Sequence, residues 1–571
     1  MVGDPWAELK ARAEGVRDSI ESRLDVHDRA DLVEAPEDRG LFSLALFPYS
    51  KELRRPPQDL ARDAAALPVP APFGPLQAVG GYVNFVANPS AFAAFVLESA
   101  ASAGEAYGSS PPSPTRILLE HTSTNPTGPL HVGRARNPIY ADALGRLLKM
   151  AGFQVTREYL VNDVGRQMVV QYWGTKHLTP EDVGPPDVDK PDSRYIKYYQ
   201  KANAIFEADP HARDEVASMI QRFERGDVAL TKDVRKVAEE ILSGILASLA
   251  RIGVGFDTFF WESEAILNGS VQKVIERLMP LSQEEDGAHY LDLSPFGLEG
   301  DAAKYFFVRK DGTSLYTTRD IAYHLDKMGR CDVAINVLGE DQKLTFQRLK
   351  AAFQLMKIDW APETVFYAFV SLPEGKMSTR KGRVVNLDDL IDEAVELAYA
   401  EVSKRREDLP EARKREIAEF VGVGAVRYNI VRVQAEKRIV FKWDEALNFE
   451  GSSAPFLQYA HARACSILDK AGARTTGDAR LLVHPQEQLL LRRIAKFPSE
   501  VRDAAASRRV HAVATYAADA AARFNQFYRD CPVLTAETAP LRAARLDLVA
   551  AFQVVLHNAL EGLGLQAPRE M

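Results

Sequence analysis

The sequence has 571 residues, of which 46% are hydrophobic and 26% are charged, and its formal net charge is -8. This composition excludes a disordered or fibrous protein, and because a single hydrophobic core stops growing at roughly 250–300 residues, the length predicts roughly two to four globular domains. The three cysteines, Cys331, Cys465 and Cys531, stand far apart without a CxxC pair, which excludes a disulfide framework and a zinc ribbon.

Two features that the sequence lacks predict the location of the protein. The first residues, MVGDPWAELKARAEG, contain no basic stretch followed by an apolar stretch, so we expect no export signal. No run of about 18 apolar residues occurs, so we expect no membrane contact. Together with the unpaired cysteines, these features predict a cytoplasmic protein.

The negative charge disfavours general binding to nucleic acids, because affinity for phosphate backbones comes mainly from Lys and Arg. It does not exclude RNA, since a large protein can concentrate basic side chains on one face. A candidate for such a face is the segment that contains Lys404, Arg405, Arg406, Arg413, Lys414 and Arg415. A solvated helix surface explains this segment equally well, and the sequence leaves both interpretations open.

In chain order, residues 1–108 are predicted to form a small α+β domain. Residues 80–88 alternate apolar and polar side chains as a strand does, and residues 92–103 have helical periodicity. A stretch rich in Ser, Gly and Pro, residues 108–115, then marks a linker. We therefore place the first domain boundary there.

Residues 109–411 are predicted to form a doubly wound α/β domain of the Rossmann type. A strand at 116–123, an amphipathic helix from Tyr140 to Ala151 and a strand at 153–161 form a βαβ unit. Residues 174–252, which are rich in Pro and Asp and then helical, resemble an insertion. Later strands and crossovers are predicted at 315–325, 331–340 and 363–372. Residues 412–571 are predicted to form an all-α helical bundle.

Two short motifs in the α/β domain are candidates for binding phosphates. PLHVGR (129–134) lies between the first strand and its helix, and KMSTRKG (376–382) follows a later strand. No GxxxxGK[ST] loop is present, and a lone His beside a Gly is more often structural than catalytic. Because both motifs lie where strands of a doubly wound sheet end, together they predict a nucleotide site containing His131 and Lys376.

The two motifs resemble the HIGH and KMSKS signatures of class I aminoacyl-tRNA synthetases. The sequence around the first one, EHTSTNPTGPLHVGRARN (120–137), is similar to the arginyl-tRNA synthetases, and so are LYTTRDIAYH (315–324) and LGEDQKLTFQRLK (338–350). Residues 426–464 and 523–534 resemble the helical anticodon-binding domain of that family. The resemblance extends from about residue 80 to the end of the chain.

The resemblance assigns functional residues position by position. It implies an arginine pocket formed by Glu120, Asn125, Tyr316, Asp320 and Gln342. Carboxylates, an aromatic ring and amides suit a planar guanidinium with five N–H donors. It implies catalytic roles for His131, Arg134 and Lys376 and an ATP site formed by His131, Gly133, Lys376, Met377, Ser378, Arg380 and Lys381. It implies contacts to tRNA from Tyr459, Arg463, Asn525 and Tyr528.

Two of these residues also fit a structural role. Asp320 is placed where a carboxylate could stabilise a helix N-terminus, and packing accounts for Tyr528 as well as RNA contact does. Two positions depart from the family signatures: Arg134 replaces the second His of HIGH, and Thr379 replaces the second Lys of KMSKS. Arg380 and Lys381 follow immediately and are candidates for the missing cation.

The implied activity has two steps. Arginine attacks ATP, supplied with Mg²⁺, to form arginyl-adenylate and pyrophosphate, and arginine then passes to the terminal adenosine of tRNA(Arg), at the 2′ hydroxyl. The resemblance also implies that the first step needs tRNA, and we expect no editing domain, no structural metal and a monomer. Two alternatives are a paralogue that charges another acceptor or amino acid, and a catalytically silent RNA-binding or regulatory paralogue.

Overall fold

The computed structural model describes residues 3–26, 30–371, 385–448 and 451–571. The chain divides into two compact units. The first comprises Met1–Pro112, Met150–Gly152 and Leu447–Met571, and the second comprises Ser113–Lys149 and Phe153–Ala446. Residues 412–446, which the sequence analysis grouped with the C-terminal bundle, thus cluster with the second unit.

The first unit begins with a small α+β segment. Its helices are α1 (Pro5–Leu24), α2 (Phe47–Leu53), α3 (Pro57–Ala65) and α4 (Pro89–Ala103), and its strands are β1 (Leu32–Glu34), β2 (Phe42–Ala45), β3 (Gln77–Val79) and β4 (Tyr82–Phe85). The strands form an antiparallel sheet in the order β1-β2-β4-β3. Asp4 and Asn88 cap α1 and α4 through side-chain oxygens, and a proline follows each cap. The strand and the helix predicted for residues 80–103 are therefore β4 and α4.

The second unit contains ten strands and thirteen helices among its described residues. The strands are β5 (Arg116–Glu120), β6 (Gln154–Val161), β7 (Thr258–Trp261), β8 (Ser282–Glu285), β9 (Ala288–Asp292), β10 (Lys304–Val308), β11 (Val333–Gly339), β12 (Glu363–Tyr367), β13 (Val370–Ser371) and β14 (Ile439–Val440). The helices are α5 (Arg136–Met150), α6 (Arg166–His177), α7 (Pro180–Val183), α8 (Pro191–Ala208), α9 (Pro210–Glu224), α10 (Val228–Arg251), α11 (Glu262–Leu267), α12 (Ser270–Leu278), α13 (Tyr316–Arg330), α14 (Lys343–Leu355), α15 (Leu387–Arg405), α16 (Glu411–Val431) and α17 (Trp443–Ala446).

A five-stranded parallel sheet forms the centre of this unit, in the order β12-β11-β5-β6-β7. Its middle strand β5 has three consecutive buried apolar side chains, Ile117, Leu118 and Leu119, as a strand covered on both faces should. From β5 the chain continues to β6 and β7 on one side, whereas β11 and β12 lie on the other side. The strand order therefore reverses beside β5, and ligands of doubly wound sheets bind at the carboxyl ends of the strands at such a point.

Two connections between strands of the parallel sheet contain further elements. Helices α6 to α10 fill the connection from β6 to β7, which is where the helical insertion was predicted. The connection from β7 to β11 carries an antiparallel sheet in the order β10-β9-β8, followed by α13. This second sheet was not predicted from the sequence.

The remainder of the first unit is helical. It consists of α18 (Ala454–Ala471), α19 (Pro485–Ser507), α20 (Val510–Asp530) and α21 (Ala539–Gly562). Helix α19 packs on the α+β segment, because Arg492 donates hydrogen bonds to the carbonyls of Ala35 and Gly40, each at 2.8 Å. None of the described helices combines the length and the apolar character that crossing a bilayer requires.

Candidate active site

A cavity of about 560 Å³ opens at the carboxyl ends of β5, β6, β11 and β12. Its volume falls within the range of roughly 300–1,000 Å³ that small-molecule sites occupy. All five residues that the sequence analysis assigned to arginine line it, together with Arg134, although they come from distant parts of the chain: Glu120, Asn125, Arg134, Tyr316, Asp320 and Gln342. The structure therefore brings these predicted side chains together at the point where the strand order reverses.

Glu120 ends β5 and is almost completely buried. Its Oε2 lies 2.6 Å from Nζ of Lys327, a fully buried lysine on α13, and its Oε1 accepts a hydrogen bond of 3.0 Å from the Ser123 hydroxyl. Lys327 also lies 4.1 Å from the ring centroid of Tyr323. Because a buried carboxylate is stable only with a partner, Lys327 is the internal counter-ion of Glu120.

A hydrogen-bonded chain connects this ion pair to Asp320. Lys327 donates to Oδ1 of Asn336 at 2.8 Å, and Nδ2 of Asn336 lies 2.8 Å from Nε2 of His324. A lysine ammonium only donates, so the Asn336 amide must donate to His324, whose remaining proton then lies on Nδ1. Nδ1 is 2.8 Å from the carbonyl of Asp320 and 3.2 Å from its carboxylate. Glu120 and Asp320, two of the carboxylates that line the cavity, are thus held by one polar network.

Asp320 is the fifth residue of α13, which begins at Tyr316. A carboxylate that stabilises a helix N-terminus is placed in the first turn, and Asp320 lies beyond that turn. Within the described ranges it forms no ion pair with a Lys or Arg, whereas Glu262, another carboxylate of the cavity, is paired with Arg319 at 2.6 Å. Asp320 is therefore available to a cation that enters the cavity.

The two amides and the tyrosine complete the predicted pocket. Asn125 donates from Nδ2 to Gln167 at 2.9 Å, and Gln342 ends a 3-10 turn that follows β11. Tyr316 exposes 57% of its surface. These side chains supply amide groups and one aromatic ring around the carboxylates.

His131 precedes a 3-10 turn, Val132–Arg134, that leads into α5. Its Nδ1 accepts a hydrogen bond of 2.9 Å from the Gly133 N–H. Burial and the neighbouring Arg134 cation lower the pKa of His131, so its imidazole is neutral at neutral pH. A Cβ on Gly133 would lie 2.9 Å from Nδ1 of His131, so only glycine leaves the imidazole in place. His131 and Gly133 lie beside the cavity and not among its lining residues, while Arg134 lines it.

The second motif, residues 376–382, lies within the segment 372–384, which is outside the described residues. The site and signature residues in this segment are Lys376, Met377, Ser378, Thr379, Arg380 and Lys381. Both flanks of this segment are next to the first motif. Val385 accepts a backbone hydrogen bond of 3.1 Å from Val132, and Leu387 donates one of 2.8 Å to Leu130. On the other flank, the Val370 carbonyl would be 3.6 Å from a Cβ on Gly133. The described residues on either side of this segment, Val370 and Val385, therefore lie close to the first motif.

The four residues predicted to contact tRNA form one surface cluster on α18 and α20. The guanidinium of Arg463 lies between the rings of Tyr459 and Tyr528, 4.7 and 5.4 Å from their centroids. It also donates a hydrogen bond of 2.7 Å to Asn525. Both tyrosines are exposed, and Tyr528 also stacks on Phe524 with ring centroids 6.4 Å apart. Tyr528 thus combines a packed face with a face open to solvent.

Lys327, His324 and Asn336 were not identified from the sequence. The first two could have been found from spacing, because residues 316, 320, 324 and 327 lie on one face of α13. Among the described residues, no group of three or more His, Cys, Asp or Glu side chains is placed to hold a metal ion.

Comparison with known proteins identifies the family. Residues 97–443 match the family described as tRNA synthetases class I (R), catalytic domain, and residues 457–571 match the DALR anticodon binding domain. The arginine--tRNA ligase of Methanocella arvoryzae is 46% identical over 528 residues, which cover 92% of either chain. The chain belongs to the arginyl-tRNA synthetase family.

Further relatives agree with this assignment. The arginine--tRNA ligase of Methanothermobacter thermautotrophicus is 42% identical over 566 residues, covering 97% of this chain and 98% of that protein. The solved structure of Thermus thermophilus arginyl-tRNA synthetase matches with a TM-score of 0.81 at 30% identity, covering 98% of this chain and 100% of that chain. This chain is therefore an aminoacyl-tRNA ligase of class I, and the predicted fold class and enzyme class are confirmed. Nothing in the comparisons favours a catalytically silent paralogue.

Proposed function

We propose that the cavity at the carboxyl ends of β5 and β11 is the site where this enzyme binds arginine. The observation that carries the proposal is the Asp320 carboxylate, which lines the cavity without a Lys or Arg partner among the described residues. A guanidinium supplies the missing positive charge and several N–H donors. Glu120 adds an acceptor at the far wall of the cavity, and Tyr316, Asn125 and Gln342 enclose the ligand.

The charge of the cavity supports arginine over a neutral amino acid. Glu120 and Glu262 have their own cations, Lys327 and Arg319, so they contribute acceptors without an excess charge. Asp320 has no Lys or Arg partner among the described residues and is partly exposed to the cavity, so its carboxylate favours binding of the opposite charge. Lysine carries the same charge on a compact ammonium, but it lacks the planar fork that can reach several acceptors at once.

We assign the ATP site to His131, Gly133 and Arg134 together with the segment that contains Lys376, Met377, Ser378, Arg380 and Lys381. The N–H groups at the start of α5 and the cation of Arg134 favour phosphate. A neutral His131 donates a hydrogen bond from Nε2, since Nδ1 already accepts one from Gly133. Mg²⁺ enters with the nucleotide, because this ion is bound mainly by phosphates and water and needs few protein ligands.

The reaction has two steps. An oxygen of the arginine carboxylate forms a bond to the α-phosphorus of ATP, and the bond between that phosphorus and pyrophosphate breaks. The 2′ hydroxyl of the terminal adenosine of tRNA(Arg) then attacks the arginyl carbonyl carbon, the bond from that carbon to the phosphate oxygen breaks, and the hydroxyl proton passes to the phosphate of the departing AMP. Alignment and charge neutralisation are the main requirements of both steps, so the residues act by positioning and electrostatic stabilisation.

We further propose that Tyr459, Arg463, Asn525 and Tyr528 bind tRNA(Arg), because exposed aromatic rings and a cation between them suit unpaired bases and phosphates. The division into residues 1–108, 109–411 and 412–571, the monomeric state and the cytoplasmic location are also parts of the proposal. Their support comes from the sequence.

Pyrophosphate exchange into ATP, with each standard amino acid and with or without tRNA, tests the assignment. Among the standard amino acids we expect only arginine to support exchange, and only when tRNA is present. In Asp320→Asn we expect the arginine KM to rise roughly 10- to 150-fold, because a hydrogen bond to a charged group contributes about 1.5–3 kcal/mol. The ATP KM should change less than about twofold, since Asp320 lies on the amino-acid side of the site.

Asp326→Asn is the matched control. Asp326 is on the same helix and is paired with Arg330 at 2.6 Å, but it does not line the cavity. We expect its arginine KM to equal that of the wild type. An arginine KM in Asp320→Asn that stays within about twofold of wild type would show that arginine binds elsewhere.

A further inference from the structure

Two consecutive residues after β5 have left-handed backbone conformations, and neither is a glycine. Thr122 has φ of 68° and Ser123 has φ of 41°. A β-branched residue with positive φ is a true outlier, because its side chain crowds the backbone. Such conformations persist only where surrounding contacts hold them, and they concentrate at binding sites.

The side-chain amide of Asn137 holds this turn. Asn137 is the second residue of α5 and is buried. Its Oδ1 accepts a hydrogen bond of 2.7 Å from the Thr122 N–H, and its Nδ2 donates one of 2.8 Å to the carbonyl of Val337 on β11. The two partners fix the orientation of the amide, since one can only donate and the other can only accept. Asn137 thus ties the turn after β5 to the neighbouring strand.

The turn places the side chains of Ser123 and Asn125 on the same side as Glu120, at the cavity. In an extended strand, successive side chains point to opposite faces, so residues 120 and 123 would face apart. Here the Ser123 hydroxyl reaches back to the Glu120 carboxylate at 3.0 Å and also accepts from the Leu160 N–H at 3.1 Å. Glu120, Ser123 and Asn125 all line the same cavity as a result.

We propose that Asn137 is a positioning residue for arginine: it holds the strained Thr122–Ser123 turn that orients Glu120 and Asn125 toward the amino acid. This inference rests on the proposed function, because it takes the cavity to be the arginine site. Asn137, which also lines the cavity, acts through the loop from the start of α5, the helix that follows His131, Gly133 and Arg134. Loss of the amide therefore affects the amino acid side of the site first.

The first variant is Asn137→Ala, assayed in the full-length enzyme by tRNA-dependent pyrophosphate exchange. We expect the arginine KM to rise about tenfold or more, because a loosened pocket loses preorganised contacts. The ATP KM should change less than about threefold, and the thermal midpoint is measured alongside. An unchanged arginine KM would overturn the proposal.

Rescue by glycine separates positioning from a merely structural role. Glycine adopts positive φ without strain, so the turn needs the amide less when Thr122 is replaced. We expect the double variant Asn137→Ala with Thr122→Gly to have an arginine KM about fivefold or more below that of Asn137→Ala alone. A double variant that is no better than Asn137→Ala would mean that the amide only attaches α5 to the sheet.

A second substitution keeps the proposal testable if Asn137→Ala is too unstable to assay. Asn137→Asp retains the volume of the side chain and the acceptor for the Thr122 N–H, but it loses the donor to the Val337 carbonyl and places a carboxylate against that oxygen, so its arginine KM should still rise by about threefold or more. An arginine KM equal to that of the wild type in this variant would contradict the proposal. Asp320→Asn separates failure of the proposed function from failure of this inference. An unchanged arginine KM in Asp320→Asn means that the arginine site itself is misplaced. A raised arginine KM in Asp320→Asn together with an unchanged one in Asn137→Ala overturns only the role of Asn137.

Discussion

A buried ion pair connects α5, the helix that starts at the first motif, to α16. Asp142 is completely buried, and it lies 2.7 Å from Nη2 of the equally buried Arg427. Two further cations contact the same carboxylate, Arg146 at 2.8 Å and Arg157 at 3.6 Å. Arg427 also donates to the carbonyl of Ile252. The second unit should therefore depend strongly on this arginine.

We predict that Arg427→Met lowers the free energy of unfolding of the second unit by about 3 kcal/mol. Breaking a buried pair costs roughly 3–5 kcal/mol, and the two remaining cations place this case at the lower end. Replacing both partners, as in Arg427→Met with Asp142→Leu, should cost about 1 kcal/mol, since no unpaired charge is then left inside.

Tryptophan fluorescence during denaturant unfolding measures this loss. Four of the five tryptophans, Trp173, Trp261, Trp360 and Trp443, belong to the second unit, so the signal reports mainly on it. A loss below about 1 kcal/mol in Arg427→Met, or a double variant that is less stable than the single one, would refute the reasoning.

The pH dependence of stability gives an independent check of the same pair. Burial alone would raise the pKa of Asp142, but attraction to Arg427 and Arg146 outweighs it and the pKa lies below its ordinary value. The stability that this pair contributes is therefore present above the unfolded pKa of about 4 and is lost as pH falls through the lower folded pKa. In Arg427→Met the free energy of unfolding should therefore decrease less than in the wild type as the pH is lowered through this range.

Two more predictions concern the ligand sites. Because Arg134 helps to lower the pKa of His131, Arg134→Ala should raise the pH at which His131 titrates, which NMR of labelled histidine measures; a lower midpoint would contradict the assignment. Arg463→Met should raise the KM for tRNA roughly 5- to 150-fold, as expected from about 1–3 kcal/mol of lost base contact, while the arginine and ATP KM values stay constant in steady-state charging assays. An unchanged KM for tRNA would show that Arg463 does not contact tRNA.

The central βαβ unit was predictable because its signals are local. The apolar run of β5, the helical periodicity of α5 and the turn at Gly152 occur in sequence order within residues 116–161. The antiparallel sheet β8–β10 was not predictable in the same way. β8 reads SQEE, and it has no alternation of apolar and polar side chains because it is largely solvent-exposed.

The pocket could be predicted in part. Glu120, Asp320 and the amides were identified from the resemblance, and the structure places them around one cavity. The spacing along α13 could indicate Lys327, but its ion pair with Glu120 was not predictable, because it follows from the pairing of β5 with β11 and from the packing of α13. Arg136 is a similar case: a buried arginine is rare, and only the fold brings the carbonyls of residues 368, 433, 434 and 437 around its guanidinium.

The pairing of β5 with β11 also has a consequence for the newly made chain. The two strands begin near Arg116 and Asp332, which are 216 residues apart. Synthesis adds roughly 5–20 residues per second, so β11 follows β5 out of the ribosome by roughly 10–40 s. During that interval the unit β5–α5–β6 can fold locally, while the other edge of β5 keeps its backbone N–H and carbonyl groups unpaired. The strand that carries Glu120 at its carboxyl end therefore has, for much of synthesis, an open edge that can pair with a neighbouring chain, and its protection depends on how soon β11 is made.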